Sequence, residues 1–286
     1  HAVYWPAFLM AAGLPLPKTI YAHGHWLFWE EKMSKSRGNI VRAEPIAEAL
    51  GVDAMRYFLL REMVFGQDAN FSYDALVSRY NSELANDYGN LAARTLTMIG
   101  RYFKGEIPYP SAGADRQEQD QAVADVAQKT VVNFCDDFDR CDFSRGLQAV
   151  WVLVSALNKY LVETEPWQLA EDESRRSRLA TVLWTAAEGL RIATVLLYPV
   201  LPQGTERLWR QLGLGGSLAN YPLGQLAWGQ IPAGTKIGEL GAIYPRAEKE
   251  ATIARMAELE ATLDTARAAA AKGESAVSST DANLIS

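Results

Sequence analysis

Lysines and serines cluster in one short polar segment, where residues 32–36 read Lys-Met-Ser-Lys-Ser. Lysine is a compact positive charge suited to phosphate oxygens, and serine hydroxyls add hydrogen-bond donors without filling space. The segment follows an apolar, aromatic run at residues 19–28 that predicts a strand and a turn. The pattern therefore predicts a phosphate-binding loop with the candidate contacts Lys32, Ser34, Lys35 and Ser36. For a Lys-x-x-Lys pair alone, a solvated surface loop is the alternative.

Asn90 and Arg94 form a second candidate pair, because residues four apart share one face of a helix. An amide and a guanidinium can hydrogen-bond base edges, and a guanidinium can stack on a base plane, which is how unpaired RNA bases are usually recognised. The pair lies in a long amphipathic pattern that Ser72 can cap and that ends near Phe103. A solvated polar stripe is the alternative interpretation.

Helical periodicity dominates the rest of the chain and favours a mainly α fold built around a helix bundle. A short first helix is predicted at residues 5–13, and two more lie within 46–61, the second with Asp53 as its N-cap. Further helices are predicted at 116–138, 143–164, 174–198 and 203–212. Residues 214–245 are irregular, and a last helix at 247–271 is followed by a tail without regular structure.

Overall charge and cysteine content exclude several classes of protein. The 286 residues carry a net charge of −6, which argues against a broad nonspecific polyanion binder. Bases exceed acids within residues 1–43, and acids exceed bases within 111–145, so any nucleic-acid contact should be local. Only Cys135 and Cys141 are present, too few for a disulfide framework or a zinc site, which favours a reducing cytoplasm. No uncharged apolar run approaches the roughly 20 residues that span a bilayer, so no membrane contact is expected.

The complete string at residues 32–36 resembles the signature loop of the class I aminoacyl-tRNA synthetases. The resemblance implies that ATP, with Mg²⁺, is a substrate and that the loop stabilises charge on its β- and γ-phosphates as pyrophosphate leaves. It gives the catalytic roles to Lys32 and Lys35, supported by Ser34 and Ser36. No metal site is expected within this chain.

Four blocks resemble the methionyl-tRNA synthetase family, at residues 3–15, 21–24, 51–62 with 65–68, and 81–94. The resemblance implies that methionine is bound by His1, Tyr4 and Trp5, because aromatic walls suit a polarisable thioether. Plain core aromatics are the alternative for that opening segment. The resemblance also implies that the anticodon of methionine tRNA is read by Asn90, Arg94 and Trp167. Trp167 follows Pro166 and would supply a stacking surface, with a core tryptophan as the alternative.

The same resemblance divides the chain into four parts. Residues 1–40 would end a Rossmann-type catalytic domain and carry the lysine loop, and 41–75 would form a stem-contact segment. Residues 76–213 would form an α-helical anticodon-binding domain, and 214–286 an irregular lobe with an Ala- and Glu-rich tail. Nothing recognisable in the family matches the residues from Ala251 onward. Without an appended dimerising domain, a monomer is expected.

The second signature of the class, His-x-Gly-His, is absent, and residues 23–25 carry His-Gly-His in the wrong order. We therefore expect a fragment with exposed apolar side chains on its first helix, which needs the N-terminal catalytic half as its partner and forms no aminoacyl-adenylate alone. The implied activity of the whole enzyme is that of a methionine–tRNA ligase, which activates methionine with ATP and transfers it to methionine tRNA. The alternatives are a stand-alone tRNA anticodon-binding module and a fragment of another class I synthetase.

Overall fold

Helices make up most of the protein in the computed structural model, which describes residues 1–28, 31–32, 41–110 and 116–281, with side chains for 1–28, 41–110 and 116–265. The α-helices are α1 (Tyr4–Ala11), α2 (Ala43–Leu50), α3 (Val52–Glu62), α4 (Tyr73–Arg79), α5 (Asn90–Tyr102), α6 (Glu118–Asp139), α7 (Phe143–Thr164), α8 (Pro166–Leu169), α9 (Arg176–Leu197), α10 (Pro202–Gln211) and α11 (Lys249–Asp281). A π-helical stretch, Tyr80–Gly89, joins α4 to α5. The predicted mainly α fold is confirmed.

A small three-stranded sheet lies between α1 and the long helical run. Its strands are β1 (Trp26–Phe28), β2 (Glu31–Lys32) and β3 (Ala69–Phe71), in the order β2-β1-β3. β1 is antiparallel to β2 and parallel to β3. The predicted extended run at residues 19–28 therefore forms a strand only at its end. Just before β1, the His25 backbone oxygen still accepts a hydrogen bond from Ala69 N–H of β3 at 2.9 Å, but residues 19–24 pair with no strand in the described part of the chain.

Gly51 separates α2 from α3, as predicted, and its φ of +87° is one that glycine adopts without steric cost. Asp53, however, is not the N-cap of α3, because Gly51 occupies that position. The Asp53 carboxylate is buried and instead accepts hydrogen bonds from the backbone N–H of Gly204 at 2.6 Å and from the Tyr244 hydroxyl at 2.9 Å. It therefore caps the first turn of α10, a helix far away in sequence.

Ser72 begins one helical run that passes through α4, the π-helical stretch and α5 to Tyr102. The Ser72 Oγ accepts a hydrogen bond from the backbone N–H of Ala75 at 3.1 Å, so the predicted cap is confirmed, as is the predicted end. The π-helical stretch is not evident from the sequence. Tertiary contacts hold it in place, including a 2.9 Å hydrogen bond between the Tyr88 and Thr194 hydroxyls.

Helix α9 forms the centre of the bundle, with α5, α6, α7, α8 and α10 packed against it. Residues 173–197 are long and apolar enough to cross a membrane, but the stretch from Arg178 to Leu197 is completely buried inside the protein, as in the core helix of a helical domain. The helices α6, α7, α9 and α10 begin and end close to their predicted bounds. These helices could be predicted because each has a broad apolar face, as expected of helices that a bundle buries on several sides.

A buried ion pair ties α9 to the irregular lobe. Glu188 and Arg191 are almost completely buried, and the guanidinium donates two hydrogen bonds to the carboxylate, at 2.7 and 2.8 Å. The same carboxylate accepts hydrogen bonds from the backbone N–H groups of Gly229, Gln230 and Ile231 at 2.7 to 3.0 Å. Every oxygen lone pair is thus directed at a donor, which is the arrangement that makes a buried charge tolerable.

Helix α11 returns to the small sheet and packs against α2 and α4. Met256 is completely buried in a second hydrophobic core, together with Ile46, Phe58, Phe71, Leu76 and Val77. Arg255 pairs with Glu48 on α2 at 2.9 Å. The helix continues past its predicted end, through Gly273, to Asp281, and a single internal glycine costs a helix only about 1 kcal/mol. The prediction of a tail without regular structure is therefore wrong as far as Asp281.

The Glu188→Gln substitution should lower the free energy of unfolding by about 3–5 kcal/mol, because it leaves the Arg191 guanidinium buried beside a neutral group. Glu163→Gln is the matched control, since its exposed i, i+4 pair with Lys159 at 3.5 Å should contribute less than about 1 kcal/mol. Urea unfolding followed by circular dichroism measures both. Equal losses in the two variants would contradict the role given to the buried pair.

The Met256→Ala substitution should destabilise the second core by about 2–5 kcal/mol, because it removes a fully buried side chain and leaves a cavity. Hydrogen exchange should rise first in α2, α3 and α4, which share that core. Glu258→Ala, exposed on the same helix, should change neither quantity. Unchanged exchange in α2 would show that α11 does not hold this segment.

Candidate nucleic-acid interface

The predicted phosphate-binding loop lies outside the described residues. The backbone of Lys32 belongs to β2, opposite Leu27 of β1, but its side chain and the whole of residues 33–40 are not described. The ATP contacts predicted for Lys32, Ser34, Lys35 and Ser36 therefore stay predictions. The strand expected before the loop is present at Trp26–Phe28.

Helix α1 presents its apolar side chains to solvent. None of its residues is buried, and the exposed fractions of Tyr4 and Trp5 are 76% and 53%. The exposed apolar surface expected on this helix is therefore present in the described chain. His1 is also exposed, next to the start of the helix. Whether His1, Tyr4 and Trp5 contact methionine stays a prediction.

Asn90 and Arg94 lie on the outward face of α5. The opposite face buries Leu91, Ala92, Thr95, Leu96 and Ile99, so packing of the bundle fixes which side chains face solvent. Asn90 is exposed and Arg94 is partly exposed. Neither side chain makes a hydrogen bond or an ion pair with any residue in the described part of the chain. The amide and the guanidinium are therefore available to a ligand.

Trp167 lies in α8, directly after a sharp turn. Glu165 has a φ of +43° and a ψ of +58°, a left-handed conformation that is unfavourable for a residue with a Cβ. Pro166, at the first position of α8, is buried, whereas 39% of the Trp167 side chain is exposed. The turn therefore holds the proline in the bundle and the indole at the surface, and a core position for this tryptophan is excluded.

Helices α7 and α9 connect the two parts of the candidate site. The Asn158 amide of α7 donates hydrogen bonds to the backbone oxygens of Asp87, at 3.2 Å, and of Val154, at 3.1 Å. Asp87 is one turn before Asn90, and α7 leads directly into the turn before Trp167. Both α5 and α8 also pack on α9. The residues predicted from the sequence are thus carried by neighbouring helices of one bundle.

A cluster of charged residues beside Asn90 is not evident from the sequence. Glu83 accepts hydrogen bonds from the Tyr57 hydroxyl at 2.5 Å, from Arg61 at 3.3 Å and from Arg79 at 3.0 Å. Asp87 follows one turn later, and its pKa is raised by partial burial and by the Glu83 charge, although the Trp151 indole lowers it. Tyr57 and Arg61 come from α3, so only the fold brings this cluster together.

Metal ligands are not assembled in the described part of the chain. Among those residues, no three His, Cys, Asp or Glu side chains are placed to hold an ion. Cys135 and Cys141 are free thiols and partly exposed. The described surface therefore carries hydrogen-bond donors, cations and aromatic rings as its candidate binding groups.

Two family models match the chain. Residues 1–96 match the model of class I tRNA synthetases (M), and residues 120–277 match that of the anticodon-binding domain of tRNA ligase. The second match includes most of α11, so the expectation that residues after Ala251 match nothing recognisable is wrong. The domain boundaries given above stay predictions.

Relatives and solved structures agree with these matches. The methionine–tRNA ligase of Caldanaerobacter subterraneus is 45% identical over 90% of this chain and 39% of that protein, and the ligase of Streptomyces coelicolor is 43% identical over 87% and 47%. A structure of Mycobacterium tuberculosis methionyl-tRNA synthetase in complex with methionyl-adenylate superposes with a TM-score of 0.78, at 40% identity, over 86% of this chain and 48% of that one. The chain thus spans less than half the length of these relatives. With both family models matched and the bundle of the second one present in the fold, the chain belongs to the class I methionyl-tRNA synthetase family.

Proposed function

We propose that this chain acts in a methionine–tRNA ligase, where its helical bundle reads the anticodon of methionine tRNA. The observation that carries the proposal is the unpaired amide and guanidinium of Asn90 and Arg94 on the exposed face of α5, together with an exposed Trp167 on α8, which packs on the same central helix α9. An aromatic ring and a guanidinium offer stacking surfaces, and an amide offers hydrogen bonds to a base edge. Relatives that are methionine–tRNA ligases support the same assignment.

Anticodon reading by these residues needs little rearrangement of the protein. Arg94 would stack on one unpaired base or hydrogen-bond its edge, Asn90 would donate to or accept from the next, and Trp167 would stack on a third. Because neither Asn90 nor Arg94 is engaged by a described residue, no internal bond has to break before a base binds. We place this recognition in the cytoplasm, with the protein as a monomer.

The lysine loop would serve the first chemical step. A carboxylate oxygen of methionine attacks the α-phosphorus of ATP, the bond from that phosphorus to the bridging oxygen breaks, and pyrophosphate leaves with its charge. Lys32 and Lys35 would stabilise the charge that develops on pyrophosphate, and Ser34 and Ser36 would donate hydrogen bonds to it. Mg²⁺ bound with ATP would neutralise part of the same charge. His1, Tyr4 and Trp5 would contact the methionine side chain in the complete catalytic domain.

Binding of methionine tRNA tests the anticodon assignment. The chain should bind this tRNA, and a changed CAU anticodon or the Trp167→Ala substitution should weaken binding by roughly 5- to 150-fold, because the first removes hydrogen bonds to the base edges and the second removes a stacking platform. Asn90→Ala and Arg94→Ala should each cost a similar factor. Filter binding at fixed salt measures these ratios.

Trp5→Ala is the matched control, because Trp5 is also an exposed tryptophan but lies on α1. It should leave the affinity unchanged. Equal binding of both tRNAs by a folded chain would overturn the anticodon assignment. Binding that depends equally on Trp5 and Trp167 would indicate a nonspecific apolar contact instead.

Methionine-dependent exchange of pyrophosphate into ATP tests the lysine loop. The chain alone should show no exchange, and fusion to the nucleotide-binding half of a relative should restore it. In the fused enzyme, Lys35→Ala should lower the exchange rate about 10²- to 10³-fold, because a charge directed at the leaving group is lost. Lys18→Ala, an exposed lysine before the loop, is the control and should leave the rate unchanged. Equal rates for the two variants would contradict the role of Lys35.

A further inference from the structure

A surface pocket, called the tip pocket below, lies at the end of the bundle where α5 ends and α9 begins. This tip pocket has a volume of about 530 Å³. Its lining combines two aromatic rings, two cations and one carboxylate with backbone and small side chains, and the residues that matter here are Phe103, Lys104, Glu106, Tyr109 and Arg176. Cations interleaved with aromatic rings are the pattern that binds single-stranded nucleic acid.

Tyr109 forms one wall of the tip pocket and is strongly exposed, at 73% of its surface. The backbone two residues before it is held by a short antiparallel pairing, in which Ile107 N–H donates to Thr235 oxygen at 2.9 Å and Gly234 N–H donates to Ile107 oxygen at 2.7 Å. Gly234 lets the ring lie close, because a Cβ there would be 2.7 Å from the Tyr109 hydroxyl oxygen. The ring therefore lies against Gly234 with most of its surface open to solvent.

Two cations flank that ring. Arg176 is held in position, with its guanidinium 4.9 Å from the centre of the Phe103 ring and 3.4 Å from the Tyr102 backbone oxygen. Lys104 is exposed and makes no ion pair or hydrogen bond with any side chain that the structure describes. Glu106 is the carboxylate of the lining and would oppose a bound anion. Arg176 also pairs with Glu173 at 3.7 Å, so Lys104 is the cation of this lining that has no carboxylate partner among the described side chains.

The tip pocket lies at the C-terminal end of α5, the helix that carries the anticodon candidates Asn90 and Arg94. Asn90, Arg94 and Arg101 are separated by four and seven residues, so all three lie on one side of α5. Arg101 is about 16 Å from Asn90 along the helix axis, at roughly 1.5 Å per residue. Arg176 reaches the same end of the helix, where it donates a hydrogen bond to the Tyr102 backbone oxygen. A nucleic acid bound at Asn90 can therefore extend to the tip.

We propose that the tip pocket binds an unpaired nucleotide of the anticodon loop that lies outside the CAU triplet. Its base would stack on Tyr109, and its phosphate would lie between Lys104 and Arg176. Stacking accepts any base, so this contact adds affinity without reading sequence. The inference rests on the proposed function, because it needs the anticodon loop to be present at α5.

The test uses the whole chain and hairpins that carry the anticodon stem and loop of methionine tRNA. Tyr109→Ala should weaken binding roughly 5- to 150-fold, whereas Tyr109→Phe should bind as well as the unaltered protein, because a stacking contact does not need the hydroxyl. Tyr21→Ala, an exposed tyrosine before the small sheet, is the matched control and should have no effect. Thermal unfolding of each variant checks that it is folded.

Hairpins with one abasic site identify the nucleotide. At one loop position outside the triplet, removal of the base should abolish the effect of Tyr109→Ala, since the two changes remove the same contact. Lys104→Ala should reduce the slope of log affinity against log salt by about 1, and Lys129→Ala on α6 should not. Glu106→Gln should raise the affinity.

Two outcomes separate this inference from the proposed function. If a changed triplet weakens binding but Tyr109→Ala does not, the tip pocket is overturned and the anticodon assignment stands. If Tyr109→Ala acts equally on every abasic hairpin, the contact is not with a base and the inference is also overturned. If the triplet has no effect on binding at all, the proposed function itself fails.

Discussion

One uninterrupted helical run, from Tyr73 to Tyr102, passes from the second hydrophobic core into the main bundle. Leu76 and Val77 are buried in the second core near the small sheet, and Leu91 and Leu96 in the bundle. A helix is rigid along its axis. These residues therefore fix the position of the face that carries Asn90 relative to the sheet that precedes the lysine loop. Helix α11 adds a second connection, since it returns from the irregular lobe to α2 and α4. The rest of the architecture depends on this run staying straight and in register.

The π-helical stretch shows how that register is set. A wider turn changes the angular position of every residue that follows it, so the outward face of α5 depends on Tyr80–Gly89. Gly89 is needed there, because a Cβ would be 2.9 Å from the Leu84 backbone oxygen. Tyr88 fixes the same turn by its hydrogen bond to Thr194 in the centre of the bundle. The direction of Asn90 is thus determined by contacts that lie on its buried side.

Local signals in the sequence predict features that depend on neighbouring residues. Ser72 as a cap, the break at Gly51 and the shared face of Asn90 and Arg94 all follow from spacing alone, and the structure has them. Features that join distant segments could not be predicted in this way. Asp53 caps α10 rather than its own helix, and Glu188 binds the backbone of residues 229–231. The tip pocket belongs to the same class, because Tyr109 and Arg176 meet only in the fold.

The distribution of charge is compatible with the proposed binding of RNA by an acidic protein. Inside the bundle, Glu188 forms an ion pair with Arg191, and Asp120 forms one with Arg178. These buried charges therefore contribute to folding rather than to binding. On the outward face of α5 and at its end, Arg94 and Lys104 have no such partner in the described part of the chain. A net charge of −6 weakens long-range attraction for a polyanion, so electrostatic attraction adds little to the affinity for nonspecific RNA. Affinity must then come from a few unpaired groups that a rigid scaffold holds at the right spacing, and such contacts discriminate between loops because a misplaced base loses them entirely.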